Sequence, residues 1–185
     1  DQIKEAANNS KNTIQVMSLN IAHGRNSAMN QIFLSKAKIK RNLLLISKLI
    51  KQHRPDVIAL QEADAPSLWI GSFNHVAFIA TNAKYRYVAH GLHVSGLKIH
   101  YGTALVSNSP LQNPFSFVFS PSLPTFSKGF IIASIAWPSH PEQLVDLVSI
   151  HLDYSRASVQ KEQVAELVNY LQQRKRPVII MGDFN

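Results

Sequence analysis

The sequence contains no cysteine. That excludes disulfides, thiolate nucleophiles and cysteine-held metals, and it fits an exported chain and a cytoplasmic one equally. No apolar run reaches the roughly 18 residues that a membrane-spanning helix requires. The chain opens at Asp1 without a charged-then-apolar leader pattern, as a mature or trimmed product would. Acidic residues are scarce: 11 Asp and Glu stand against 19 Lys and Arg, a formal net charge of +8. Between Ala65 and Pro141 there is no acidic residue, while Lys84, Arg86, Lys98, Lys128 and five of the eight histidines fall there. This imbalance favours anionic partners such as nucleic acid, phospholipid headgroups or phosphate esters.

What is present is a chain of 185 residues, 45% hydrophobic, enough for one globular domain with a true core. Residues 1–12 are polar and expected to be a flexible segment, with the domain spanning 13–185. Thr13 to Leu19 alternates as a strand and runs into a polar loop through Asn20, His23 and Gly24. Ser27 to Ser35 is ambiguous. Ile39, Leu43, Ile46 and Ile50 recur at helical spacing and predict a helix over Lys36–His53, ended by Pro55. The basic residues Lys36, Lys38, Lys40, Arg41, Lys48, Lys51 and Arg54 are expected on its solvated face. Asp56 to Gln61 reads as a buried strand with Glu62 just past its end. Short strands are expected at Val76–Ala80, Tyr85–His90, Thr103–Val106, Phe115–Phe119, Phe130–Ile135 and Leu144–Ile150. A second helix is expected over Ser155–Gln173, with Val164, Leu167, Val168 and Leu171 as its apolar stripe and Asp153 or Ser155 as N-cap. Pro177 opens a last strand, Val178–Met181, followed by Gly182, Asp183 and Asn185.

Asn20, Glu62, His151 and the Asp183/Asn185 pair each follow an apolar run. Each is therefore expected at the carboxyl edge of a strand, where α/β proteins bind ligands. If those strands are neighbours, the residues converge. Glu62 and Asn20 suit a hard divalent cation, which takes oxygen ligands and keeps waters. Asp183 suits the orientation of an attacking water. Asn185 and a protonated His151 would supply donors to phosphoryl oxygens. Phe115, Phe117 and Phe119 place aromatic rings on one strand face, expected mainly as core, with a stacking or lipid-facing wall as the other reading.

The segments Ser18-Leu-Asn20, Pro55-Asp-Val-Ile-Ala-Leu-Gln-Glu62, Tyr101-Gly-Thr-Ala-Leu-Val-Ser107, His151-Leu-Asp153 and Gly182-Asp-Phe-Asn185 resemble the endonuclease/exonuclease/phosphatase superfamily. That family includes pancreatic-type deoxyribonuclease, exonuclease III-type repair enzymes, neutral sphingomyelinases and inositol polyphosphate 5-phosphatases. The resemblance implies an α/β fold, a four-layer α/β/β/α sandwich, and metal-dependent phosphoester hydrolysis with Mg²⁺, Mn²⁺ being possible. By motif, Glu62 looks like the metal-binding glutamate and Asn20 like the asparagine beside the metal. Asp183 and Asn185 look like the pair that orients water and phosphate, and His151 like a phosphate-contacting histidine. Tyr101 and Arg156 are candidate substrate contacts, Arg156 and Gln160 opening the following helix in the family's manner.

The family's domain continues past Gly-Asp-Phe-Asn to an Asp-His couplet, and no Asp-His dipeptide occurs here. The sequence is therefore expected to be an incomplete domain that lacks its carboxyl-terminal part. Its basic balance favours nucleic acid as substrate, with a phospholipid or small phosphoester second. A non-catalytic member that binds a phosphorylated ligand is the third reading.

Overall fold

The computed structural model describes residues 12–25, 35–66, 73–95 and 100–185. Residues 1–11, nearly all of the ambiguous 27–35 segment, and Lys98 lie outside the described residues. Asn12 is already tied to the body: its side-chain oxygen accepts from Trp137 Nε1 at 2.9 Å and from Ser139 Oγ at 2.6 Å.

In chain order the elements are β1 (Val16–Asn20), α1 (Lys36–His53), β2 (Val57–Asp64), α2 (His75–Ala83), β3 (Tyr87–Ser95) and β4 (His100–Ser107). They continue with β5 (Gln112–Val118), β6 (Gly129–Trp137), β7 (His140–His151), α3 (Ala157–Gln172) and β8 (Val178–Asp183). Two four-stranded sheets result, ordered β1-β2-β4-β3 and β5-β6-β7-β8. Each has one parallel pair, β1 with β2 and β7 with β8, and each pair is joined by a helix. All other pairings are antiparallel.

Strand alternation builds the layers. In β2, Ile58 and Leu60 join Ile39, Leu43 and Ile50 of α1 and Val76 and Ile79 of α2. Val57 and Ala59 face the other way, onto Ile131, Ala133, Val145 and Leu147 of the second sheet. On that sheet's outer side Phe130, Ile132, Val148 and Ile150 meet Leu167 of α3. This is the four-layer α/β/β/α order, with successive residues of one strand serving different layers.

α1 lies where its periodicity places it. Ser35 Oγ accepts from Lys38 N at 3.3 Å at its start, and Arg54 closes it in a left-handed conformation. Its basic residues are solvent-facing, except that Lys40 is half-buried. Three expectations need correction. Val76–Ala80 is part of helix α2 rather than a strand. Asn74 Oδ1 caps it from Ala77 N at 2.8 Å, and Val76, Ile79, Ala80 and Ala83 are buried at helical spacing. In so short an apolar run the two periods are hard to separate. α3 is rotated from its expected stripe. Val159, Gln163 and Leu167 are buried, whereas Val164 and Val168 are 40% and 44% exposed. Gln163 belongs inside because its Oε1 accepts from Asp153 N at 2.8 Å. Third, β2 does not stop before Glu62 but continues to Asp64.

The aromatic strand face is core at Phe117 and Phe119, while Phe115 is 46% exposed. Phe117, Phe119 and Phe130 pack with Tyr170 beneath α3, and Phe115 stacks on Tyr170 at 5.4 Å.

Candidate active site

The parallel pairs carry like strand ends to one edge. Asn20 lies opposite Gln61 in the first sheet, and His151 opposite Asp183 in the second. Where the two sheets meet at that edge, Asn20 Nδ2 donates to Asp183 Oδ2 at 2.7 Å and to Glu62 Oε1 at 3.3 Å. Asn20 Oδ1 accepts from Ala22 N at 2.9 Å. A backbone N–H pairs only with the amide oxygen, so this bond sets which way the amide points. The oxygen expected to face a cation is engaged by the backbone, and the nitrogen holds two carboxylates.

Glu62 reaches the edge through a bulge. The pairing of β2 with β4 shifts register between Leu60 and Ala63, and Glu62 has φ of 51°. Leu60 and Ala63 both belong to the helix-side core, so one residue between them is supernumerary. In a regular strand Glu62 would share the side of Leu60 and lie in the apolar layer. The bulge turns its carboxylate out to Asn20 instead. A left-handed conformation costs a non-glycine residue free energy.

Asp183 depends on Gly182. A Cβ on Gly182, whose φ is +154°, would lie 2.1 Å from the Ile150 carbonyl oxygen. Only glycine lets β8 approach β7 this closely, and that approach sets Asp183 Oδ2 4.0 Å from His151 Nε2. Burial pushes the Asp183 carboxyl up. The hydrogen bonds from Asn20 and from Asn185 N, with the His151 and Lys128 charges, outweigh burial and hold it below the ordinary aspartate value. Asn185 is held at three points. Its N donates to Asp183 Oδ1 at 3.1 Å, its Nδ2 to Leu152 O at 2.8 Å, and its carbonyl accepts from Gln160 Nε2 at 3.3 Å.

His151 was expected as a protonated donor, and the structure corrects this. Burial first, then the neighbouring Lys128 ammonium, push it down to about 4 against the opposing pull of Glu62 and Asp183. It is a neutral ring near pH 7.

A cleft of about 580 Å³ opens beside this edge, with Glu62, His151, Tyr101, Lys128, Phe126 and Asn185 among its walls. Tyr101 is buried, edge-on to His23 at 5.0 Å and to Phe126 at 6.1 Å. Burial, then Glu62 and Asp64, raise its hydroxyl well above the ordinary tyrosine value, so it stays protonated.

Arg156 does not line the cleft. Its guanidinium donates to the carbonyls of Ser122 and Leu123 and to Thr125 Oγ1, fastening the loop that forms one wall. Asp153 bonds the same Thr125 and accepts from Ser155 N and Arg156 N at the start of α3.

Three site residues escaped sequence reasoning. His23 Nδ1 lies 3.0 Å from Asp64 Oδ2, and its Nε2 lies 3.4 Å from Glu62 Oε2. Asp64 is fully buried between His23 and His75, whose Nδ1 is 3.2 Å away without an aligned hydrogen bond. Burial raises the Asp64 carboxyl, and the two histidines bring it below its ordinary value. The third is Lys128. Its only hint was its place shortly before a strand, which Lys84 and Lys98 share.

Among the described residues no three His, Asp or Glu side chains form a closed cage for a metal. The donor set is sparse and oxygen-rich: Glu62 at the edge, steadied by Asn20, with Asp183 on the opposite sheet. That fits a hard cation such as Mg²⁺, which is held by one or two carboxylates and keeps several waters.

Residues 17–185 match the Endonuclease/Exonuclease/phosphatase family. The chain belongs to that family.

Family members are phosphoester hydrolases. No curated protein matches the chain significantly. Among solved structures it resembles an endonuclease/exonuclease/phosphatase family protein from Leptotrichia buccalis, with TM-score 0.67 and 18% identity over 94% of this chain and 67% of that one. It also resembles TDP2 from C. elegans, with TM-score 0.62 and 17% identity over 93% of this chain and 48% of that one. ANGEL2, a 2′,3′-cyclic phosphatase, matches with TM-score 0.60 and 19% identity over 93% of this chain and 52% of that one. The chain thus spans about half to two thirds of the length of these family structures. At such identities the likeness concerns the fold, and the family's sandwich is the one built here.

Proposed function

We propose that this protein is a divalent-cation-dependent phosphodiesterase whose first substrate class is nucleic acid. The observation that carries the reading is the Asn20 amide bridging Glu62 and Asp183 across two sheets, with Glu62 reaching into an open cleft. Glu62 would hold Mg²⁺, or Mn²⁺ in its place. When bound, such a cation supplies Lewis-acid polarisation of a phosphoryl oxygen.

The chain's own residues do the rest. Ionised Asp183 orients a water toward phosphorus and accepts its proton as the new P–O bond forms and the ester P–O bond breaks. The leaving oxygen takes its proton from solvent. Asn20 keeps Asp183 and Glu62 in register, and neutral His151 borders the phosphoryl position. Phe126 and Tyr154, 55% and 70% exposed at the cleft, offer ring faces to a base. The excess of 19 basic over 11 acidic residues favours a polyanion.

The test is hydrolysis by the protein with Mg²⁺ of plasmid DNA, RNA, sphingomyelin vesicles and a simple phosphodiester. Glu62→Ala is expected to abolish turnover of whichever is cut. Activity on DNA should fall steeply with salt, as counterion release dictates. Salt-insensitive cleavage of sphingomyelin alone would replace nucleic acid by phospholipid, and undiminished turnover in Glu62→Ala would sink the cation assignment.

A further inference from the structure

Among the described residues, Lys128 is a buried cation with no carboxylate within ion-pair distance. The residue is 7% exposed and lines the cleft. Among the described residues its ammonium has one hydrogen-bonding partner, the His151 ring, with Nε2 at 3.2 Å and Nδ1 at 3.4 Å. A histidine ring carries no negative charge in either protonation state, so it cannot balance the ammonium. Glu62, Asp153 and Asp183 attract the ammonium only from beyond ion-pair distance, and burial outweighs them in lowering its basicity.

The backbone holds Lys128 in this position. Phe119 N donates to Lys128 O at 2.9 Å, closing the base of the 119–128 loop. A Cβ on the next residue, Gly129, would lie 2.1 Å from Phe117 O, so the chain here is pressed against β5. At the far end, Arg156 and Asp153 hold Ser122, Leu123 and Thr125. The loop is pinned at both ends with its lysine turned into the cleft. Burying a charge without a partner is costly, and a side chain of the same length without the charge would pack there at less cost.

We propose that Lys128 is the phosphate-binding cation of the site: its ammonium receives a non-bridging oxygen of the substrate's phosphoryl group. His151, in contact with the ammonium, then orients Lys128 toward the phosphate. The anion's identity rests on the phosphoester reading. A phosphoryl group fits because its oxyanion supplies the missing counter-charge beside Asp183, where water attack is proposed. The shared ligand chemistry is a phosphate ester, of a nucleic acid or of a lipid headgroup.

The test is binding without divalent cation, so hydrolysis plays no part. Titration of the protein with inorganic phosphate near pH 7, by calorimetry or ³¹P NMR, compares the parent with Lys128→Met and Lys128→Arg. The parent is expected to bind. Lys128→Met should lose affinity by about tenfold or more, the worth of one charge-assisted hydrogen bond. Lys128→Arg should retain most of it. Lys128→Met should also melt no lower than the parent, because an unpaired buried charge is removed.

Unchanged phosphate affinity in a folded Lys128→Met, or no phosphate binding by the parent, overturns the proposal. So does a lower melting temperature in Lys128→Met with affinity intact, which marks a purely structural lysine. Displacement of bound phosphate by a dinucleotide or by glycerophosphocholine supports the proposal and names the ester's source; displacement by neither overturns it. Phosphate binding through Lys128 in a protein that hydrolyses no ester would overturn the hydrolase reading and leave this one standing.

Discussion

Asn20 and Asp183 stand 163 residues apart in the chain and 2.7 Å apart at the site. One ends β1 in the first sheet and the other ends β8 in the second. The same Asn20 nitrogen reaches Glu62, so a single amide sets the distance between two carboxylates on different sheets.

Removal of that amide should therefore damage geometry more than stability. Asn20→Ala is expected to lower turnover about 10²-fold, the scale of an ångström of misplacement. Burial pushes Asp183 up, and the Asn20 bond is the foremost contact holding it down. In Asn20→Ala the acid limb of the pH–rate profile should thus move to higher pH, which steady-state kinetics across pH would measure.

Glu62 sits at φ of 51°, a conformation glycine adopts without strain. Both Glu62→Ala and Glu62→Gly should be inactive, but they should differ in stability. Glu62→Gly relieves the backbone and is expected to be more stable than Glu62→Ala by about 1 kcal/mol. Urea denaturation of the two variants checks this, and equal midpoints would mean that the bulge carries no strain.

Gly182→Ala should be severe in both respects. Its new Cβ would meet the Ile150 carbonyl oxygen at 2.1 Å, and that contact is backbone, which cannot swing aside. The expected cost exceeds about 3 kcal/mol, with β8 displaced and activity lost. A melting temperature close to the parent's would contradict the close approach of β7 and β8.

Acid should unfold the protein before its carboxylates titrate. Burial, then the charges of His151, His90 and Lys128, push His93 down to about 3; burial and Lys128 push His151 down to about 4. Both titrate near 6.5 in the unfolded chain. Between those values the unfolded chain binds more protons than the folded one, so unfolding free energy rises with pH. Their share of stability is complete above about 6.5 and drains away as pH falls toward 4. Asp64, Asp146 and Asp183 are held below the ordinary aspartate value, and their share is lost only lower down, below about 4. Melting temperature should thus begin to fall near pH 6.5. In His93→Gln, which can still bond Thr103, the slope between pH 6 and 4 (about one histidine's worth) should be shallower.

Much of this was legible in the residues. Ile39, Leu43, Ile46 and Ile50 announce α1 because a helix burying one face must repeat every three to four residues. Val57 to Leu60 announces a strand buried on both faces, and Val178 to Met181 announces a strand that lies at a sheet edge with Ile180 40% exposed. Polar residues after such runs mark the edge at which Asn20, Glu62, His151 and Asp183 meet. Val76–Ala80 was not legible, because five apolar residues satisfy a strand and a helix alike until Asn74 is seen to cap one. Gln163 was not legible as a core residue, because its place follows from a bond to Asp153 N.

Local pattern, then, determined the strands, two of the three helices and the edge that carries the chemistry, since periodicity and strand-end polarity act over a few residues. Only the tertiary structure decided what each side chain does there. Arg156 fastens a loop, His151 is neutral, Asp64 steadies His23, Lys128 lies buried against the His151 ring, and Asn20 turns its nitrogen to the carboxylates. Those roles are set by burial and by charges brought together from distant parts of the chain, and neither exists until the two sheets close on each other.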